Sequence, residues 1–309
     1  MKFNRTGKGN RALKNWQMYL FLFFPLLYLL IFCYYPMLGL QLAFKEFDMA
    51  RGMWGSPWVG LSQFRRFFSS PMFTRVLGNT LTLSLYSLVA GFPLPIIFAL
   101  LLNSVGSVKF RKSVQTITYL PYFISVVVLV GILMRIFNPY TGLYGTIYLK
   151  LFNTNPQDIL GKSRVFPHLY VWLGIWQTFG WNSIIYIAAL SSVSMELHEA
   201  AEIDGANRFR RVIHIDFPSI LPTATIMLIL RSGQILSVGY EKVLLMQNSL
   251  NISTSEIIST YVYKVGIGST GLPNYSYSTA IGLFNSAINL ILLVLVNRVS
   301  HRISETSLW

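Results

Sequence analysis

Long apolar runs alternate with short polar segments along this chain, and the runs exceed what a helix buried in a soluble core needs. Six of them, at about 17–38, 78–102, 113–137, 167–190, 222–246 and 278–299, can cross a hydrocarbon layer of roughly 30 Å at about 1.5 Å rise per residue. The pattern predicts an all-α polytopic membrane protein with six transmembrane helices. The first run, FLFFPLLYLLIFCYY, is too long and too aromatic for a signal-peptide core. No small-residue cleavage site follows it, so it is expected to be a retained helix. The domain plan is a basic tail over 1–16, a helical membrane domain over 17–300 and a short tail over 301–309.

The polar segments set the expected orientation. Lys2, Arg5, Lys8, Arg11 and Lys14 precede the first run, and Lys109, Arg111 and Lys112 separate the second from the third. Arg208, Arg210 and Arg211 follow the fourth, and Arg298 and Arg302 close the chain. Basic residues concentrate in short cytoplasmic loops, so both termini are expected in the cytoplasm. The first external loop runs against this, with Lys45, Arg51, Arg65, Arg66 and Arg75, but it is longer and diluted by Glu46 and Asp48. Trp54 and Trp58 in it suit the membrane interface. Pro25, Pro93, Pro95 and Pro121 interrupt the runs, either as bends in a packed bundle or where a helix meets a cavity.

Composition narrows the class. Charged residues make up 12% of the chain and hydrophobic residues 53%, against about 25% charged in soluble domains. The net charge of +14 sits between apolar runs rather than on one polar face, which speaks for an anionic membrane surface and against nucleic acid. The single cysteine, Cys33, allows no disulfide framework within the chain. His168, His198, His214 and His301 lack metal-ligand spacing, so no metal site is expected.

One loop, about 191–222, departs from an ordinary connection. Ser194 is placed to cap a helix carrying Glu196 in its first turn, as the dipole prefers. Ala200 and Ala201 leave room for another surface, and Gly205 beside Asp204 allows a reversal. Phe209, Val212, Ile213 and Phe217 then form an apolar stripe on a basic second helix, which Pro218 and Pro222 are expected to end. Such a segment could also rest on lipid as an amphipathic helix.

Glu199, Ala200, Ala201, Gly205, Ile215 and Pro218 match E-A-A-x3-G-x9-I-x-L-P, with Phe217 where leucine is usual. This resembles the EAA motif of binding-protein-dependent ABC importer permeases, and Asp204, Ala206 and Phe209 agree with the form in sugar permeases. QTITYLPYFIS, GYEKVLLM, EIISTYVYKVG, YSTAIGLFNSAINLILL and the terminal SLW resemble the branch for complex oligosaccharides and polysaccharide fragments. The resemblance implies the type I ABC importer permease fold in the bacterial cytoplasmic membrane. It implies a second permease subunit, usually different, two ATPase subunits in whose grooves the loop sits, and an extracytoplasmic solute-binding lipoprotein that delivers carbohydrate. Without a GxxxxGK[ST] phosphate loop, the chain is expected to bind no cofactor itself, ATP and Mg being used by the ATPase.

For the substrate path, Trp172 and Trp176 with Asn182 could stack on sugar rings or anchor the helix. Arg231, nine residues beyond Pro222, with Gln234 could line a cavity, or Arg231 could pair with Glu241. Asn285 and Asn289 could line the path or hold helices together. The segment 247–277 could dock a partner or re-enter the membrane. Two rivals remain: an ion-gradient-driven secondary transporter, for which the spans offer few carboxylates, and a membrane enzyme, for which no paired carboxylates share a face.

Overall fold

The computed structural model describes residues 16–268 and 271–304, with side chains to residue 301. The basic residues Lys2 to Lys14, the side chain of Arg302 and the terminal SLW lie outside the described residues. Among those described the protein is helical, and the sole extended pairing is an isolated bridge between Lys45 and Trp58. Four helices are long and apolar enough to span a membrane: α1 (Trp16–Phe44), α3 (Pro71–Asn103), α10 (Arg208–Ser232) and α13 (Tyr275–Ser304). The short α2 (Ser62–Phe68) precedes α3. A bent pair, α4 (Val108–Phe123) and α5 (Val126–Ile136), counts as a fifth span if taken as one. Between the long helices lie α6 (Leu143–Phe152), α7 (Phe166–Asn182), α8 (Ile184–Leu190) and α9 (Met195–Ile203). After α10 come α11 (Tyr240–Met246) and α12 (Ile258–Ile267).

Large apolar side chains such as Phe21, Val89, Leu101 and Leu290 face outward along these helices. In water that surface would drive aggregation, whereas lipid solvates it without cost. α1 has no buried residue from Trp16 to Met37 and touches the rest of the chain through its last turns, against α13. Pro25 lies inside it, and a π turn at Leu29–Tyr34 separates Pro25 from Pro36. Both prolines lack the N–H that an α-helical ladder needs, so the irregular turn falls where that ladder is already interrupted.

Three of the expected spans differ in shape. The third, 113–137, is bent by 96° between α4 and α5. Pro121 stands in a 3₁₀ turn there, and Ser125 caps α5 by accepting from the Val128 amide. The carbonyl of Ile124 at the bend accepts from Gln177 Nε2 at 2.9 Å, and the Tyr122 ring stacks on Trp181 at 4.5 Å between centroids. The fourth, 167–190, is interrupted at buried Ser183, whose hydroxyl donates to the Gly180 carbonyl. The fifth does not begin at Pro222. α10 starts at Arg208, runs through a π turn at Val212–Asp216 and continues past Pro218 and Pro222 to Ser232. Neither proline ends the helix: Pro218 follows directly on the π turn, where the regular ladder is already interrupted, and Pro222 lies inside α10. What ends it is an unwound stretch at 233–239, and α11 is a separate helix.

The loop after α1 consumes its own charge. Buried Lys45 donates from Nζ to the carbonyls of Met53 and Trp54 and lies over the Trp58 ring. Arg51 pairs with Asp48 at 3.4 Å, and Arg66 lies over the Tyr277 ring. The segment 247–267 is folded against the bundle: Asn251 Nδ2 donates to the Leu160 carbonyl, Thr254 Oγ1 to that of Ser163, and Glu256 pairs with Lys264 at 2.8 Å.

α4 and α7 cross at Gly180, where a Cβ would stand 2.2 Å from the Thr118 carbonyl oxygen. That oxygen is backbone and cannot swing aside. Gly180→Val is therefore expected to separate the helices, at about 1–3 kcal/mol, and to lower the thermal midpoint of the detergent-solubilised protein. An unchanged midpoint would show that this crossing is looser than described.

Candidate functional site

The residues of the expected coupling loop form one rigid unit. Ser194 Oγ accepts from the Glu196 amide at 3.2 Å and starts α9. At its other end the Gly205 amide donates to the Glu202 carbonyl and the Ala206 amide to that of Ala201. These are the two bonds of a Schellman cap, and it needs a left-handed residue at its turn. Gly205 supplies it with φ of +76°, directly after Asp204. Asn207 then caps α10, its Oδ1 accepting from the Arg210 amide at 2.9 Å. Arg211 reaches back to Glu202 at 2.8 Å and closes the angle between α9 and α10.

The unit presents apolar side chains outward. Ile203 is 87% exposed and Phe209 72%, and Met195, Leu197, Ile213 and Phe217 join them. Glu199 and Ala200 are exposed, and Ala201 is partly so. Val212 turns inward against the cluster of Ile96, Tyr186 and Ile220, so the expected stripe is split between surface and core. Ile215 is half-buried and Pro218 exposed.

Sequence reasoning passed over the joint between this unit and the bundle. Asp216, its side chain 4% exposed, lies 3.3 Å from His198 Nε2 on α9 and accepts from Asn103 Nδ2 at the end of α3. One buried carboxylate thus joins three helices. A buried acceptor of this kind is costly without partners, and here the partners come from both sides of the joint. His198 supplies the α9 side of this joint.

α10 carries this joint near one end and a cavity at the other. Two adjoining cavities of about 240 and 280 Å³ share Ser87, Tyr170 and Arg231. Gln234 lines the first, and Asn182 and Lys242 line the second. Arg231 does not pair with Glu241; its guanidinium lies over the Phe92 ring at 5.8 Å. The Lys242 ammonium lies 4.3 Å from the centroid of the Tyr170 ring, in space that Gly174 leaves open. Lys242 was missed because the sequence placed it near the outer end of a continuous helix.

The other expected path residues lie elsewhere. Trp172 and Trp176, about half exposed, line neither cavity, and Trp172 Nε1 donates to Tyr86 Oη at 3.0 Å. Asn289 acts on the unwound stretch, accepting from the Leu236 amide at 3.0 Å and donating to Ser237 Oγ at 2.9 Å. Irregular backbone at membrane depth is tolerated where protein satisfies it or where it lines a cavity, and residues 233–239 meet both conditions. Asn285 lines a different cavity, with Tyr240 and Tyr263, and its buried Oδ1 has no hydrogen-bond partner.

Residues 91–305 match the family described as binding-protein-dependent transport system inner membrane component. The chain is 42% identical to Protein LplB of Bacillus subtilis, covering 98% of this chain and 96% of that protein. It is 39% identical to the polygalacturonan/rhamnogalacturonan transport system permease protein YteP of the same organism, over 94% of this chain and 90% of that one. Its fold matches a chain in the crystal structure of a bacterial alginate ABC transporter in complex with an alginate pentasaccharide-bound periplasmic protein. The TM-score is 0.87 at 36% identity, covering 97% of this chain and 99% of that one. The chain therefore belongs to the family of inner-membrane components of binding-protein-dependent transport systems, the permease subunits of ABC importers.

Proposed function

We propose that this chain is the permease subunit through which an ATP-driven importer carries an oligosaccharide across the bacterial cytoplasmic membrane. The observation that carries the reading is the single helix α10, joining a rigid apolar knuckle at one end to a cavity lined by Arg231 and Gln234 at the other. A lever needs both ends on one rigid element. In this reading the knuckle of Glu199, Ala200, Ala201, Asp204, Gly205 and Phe209 docks in a groove of an ATPase subunit, with Ile215 and Pro218 carrying the motion into the membrane. Closure of two such ATPases on ATP and Mg rocks this chain against a second permease subunit. Substrate then enters from an extracytoplasmic binding protein, passes Arg231, Gln234 and Asn182, and leaves into the cytoplasm. The chain itself does no catalysis and holds no cofactor.

The topology proposed with it has six spans: α1, α3, the bent pair α4–α5, the interrupted pair α7–α8, α10 continued by α11, and α13. Both termini then lie in the cytoplasm on the same side as the α9–α10 knuckle. Oligosaccharide cargo is favoured by the hydroxyl and amide groups set in the lining and by relatives named for polygalacturonan and alginate.

The test is affinity capture of the tagged protein from mild detergent, with retained proteins identified by mass spectrometry. The expected set is an ATPase bearing a phosphate loop, a second permease and a solute-binding lipoprotein. A chain that purifies alone and transports alone in liposomes without ATP would overturn the reading.

A further inference from the structure

We infer that Arg231 and Lys242 form a two-cation clamp for carboxylate groups, so that the oligosaccharide this chain carries is acidic. The inference rests on the permease reading above and names the cargo class of the same cavity.

Two cations face one membrane-embedded space. Arg231 lines both adjoining cavities and Lys242 the second of them, and no Asp or Glu is among the residues lining either. Neither cation forms an ion pair among the described residues. Glu241, next to Lys242 in sequence, is exposed and lines neither cavity. Each cation has an aromatic face instead, Phe92 for Arg231 and Tyr170 for Lys242. A ring orients a cation without neutralising it. Ionised groups within a membrane are expensive, and those that persist without counter-ions mark a pathway for an opposite charge.

The two heads differ in a useful way. A guanidinium presents a planar fork that matches both oxygens of a carboxylate, whereas an ammonium is a compact point charge with rotatable donors. Around them Ser84, Ser87, Thr178, Asn182 and Gln234 offer neutral donors and acceptors suited to sugar hydroxyls. The unwound stretch at 233–239, held by Asn289, lines the first cavity beside Arg231, and the second cavity, shared by Arg231 and Lys242, adjoins it through Ser87, Tyr170 and Arg231. Gly174 completes the arrangement, because a Cβ there would stand 2.6 Å from Lys242 Nζ and push the ammonium aside.

The test uses the whole importer, captured through this chain and reconstituted in liposomes with its binding protein. A mixed external pool offers oligosaccharides of galacturonate and mannuronate together with neutral arabino- and malto-oligosaccharides, and the lumen is read by mass spectrometry with and without ATP. Acidic saccharides are expected to accumulate and neutral ones to stay outside. Lys242→Met and Arg231→Met should each lower the accumulation about tenfold or more, the usual weight of a charge-assisted hydrogen bond. Lys242→Arg should retain most of it, and binding-protein-stimulated ATP hydrolysis should persist in all three variants. Accumulation of neutral saccharides with the acidic ones left outside would overturn the clamp. So would wild-type accumulation of acidic saccharides by Lys242→Met. Failure of every saccharide to accumulate with ATP would instead count against the permease reading.

Discussion

Gly205→Pro is expected to abolish ATP-driven uptake while leaving the protein inserted at its normal level. Gly205 ends α9 with φ of +76°, a conformation that proline, fixed near −65°, cannot adopt. Its amide also donates to the Glu202 carbonyl, a bond that proline lacks the hydrogen to make. Loss of the Schellman cap would let α9 swing on α10 and would separate Glu202 from Arg211, the pair that fixes their angle. The local cost is about 3 kcal/mol, but it falls on an exposed loop and leaves the helix packing of the bundle intact. The proposed knuckle would then dock without transmitting motion, so ATP hydrolysis by the partner should continue without transport. Uptake and ATP hydrolysis, measured in the same vesicles, separate the two. Wild-type uptake by a fully expressed Gly205→Pro protein would remove the rigid-knuckle reading.

The second large effect is expected at Asp216. Asp216→Ala removes the acceptor shared by His198 and Asn103 and leaves both partner side chains without it at a buried joint. Leaving a buried polar group unsatisfied costs about 1–3 kcal/mol. Because the joint links α9 to α3 as well as to α10, the loss should show as slippage, with fewer substrate molecules carried per ATP. Asp216→Asn keeps the shape and one acceptor oxygen and should fall between. His198→Ala should mimic Asp216→Ala, and the double variant should be little worse than either single one, as a shared interaction requires. Additive losses from the pair would mean that the contact is incidental.

The loop was legible in the sequence because its signals are local. Ser194 and Gly205 each shape the backbone within three residues of themselves, so the first cap and the reversal could be placed from residue type alone, whereas the Asn207 cap went unread. The joint beneath it was not legible. Asp216 finds its partner Asn103 at a separation of 113 residues, and nothing near either residue announces the other. The same limit explains the fifth span. Residues 233–239 are apolar enough to continue a hydropathy run, and it is Asn289 from α13 that bonds the Leu236 amide and allows the helix to stop. With the helix taken as continuous, Lys242 fell at its outer end, and of the two roles open to Asn289, lining the path or holding helices together, its bonds to Leu236 and Ser237 fit the second. Arg231 stood out because a cation among apolar residues is conspicuous wherever the helix ends. The prolines misled in the opposite sense: Pro218 and Pro222 look like stops, but both are accommodated within α10 beside its π turn.

The most direct measurement is photo-crosslinking from position 203 in native membranes. Ile203 is 87% exposed at the tip of the knuckle, so a photoreactive residue placed there meets whatever the knuckle meets. The expected product is a covalent adduct with a phosphate-loop ATPase, its yield changing when ATP closes the ATPase pair. Adducts with lipid alone, in membranes where uptake proceeds, would make α9 an amphipathic helix resting on the bilayer and would contradict its role as the coupling element.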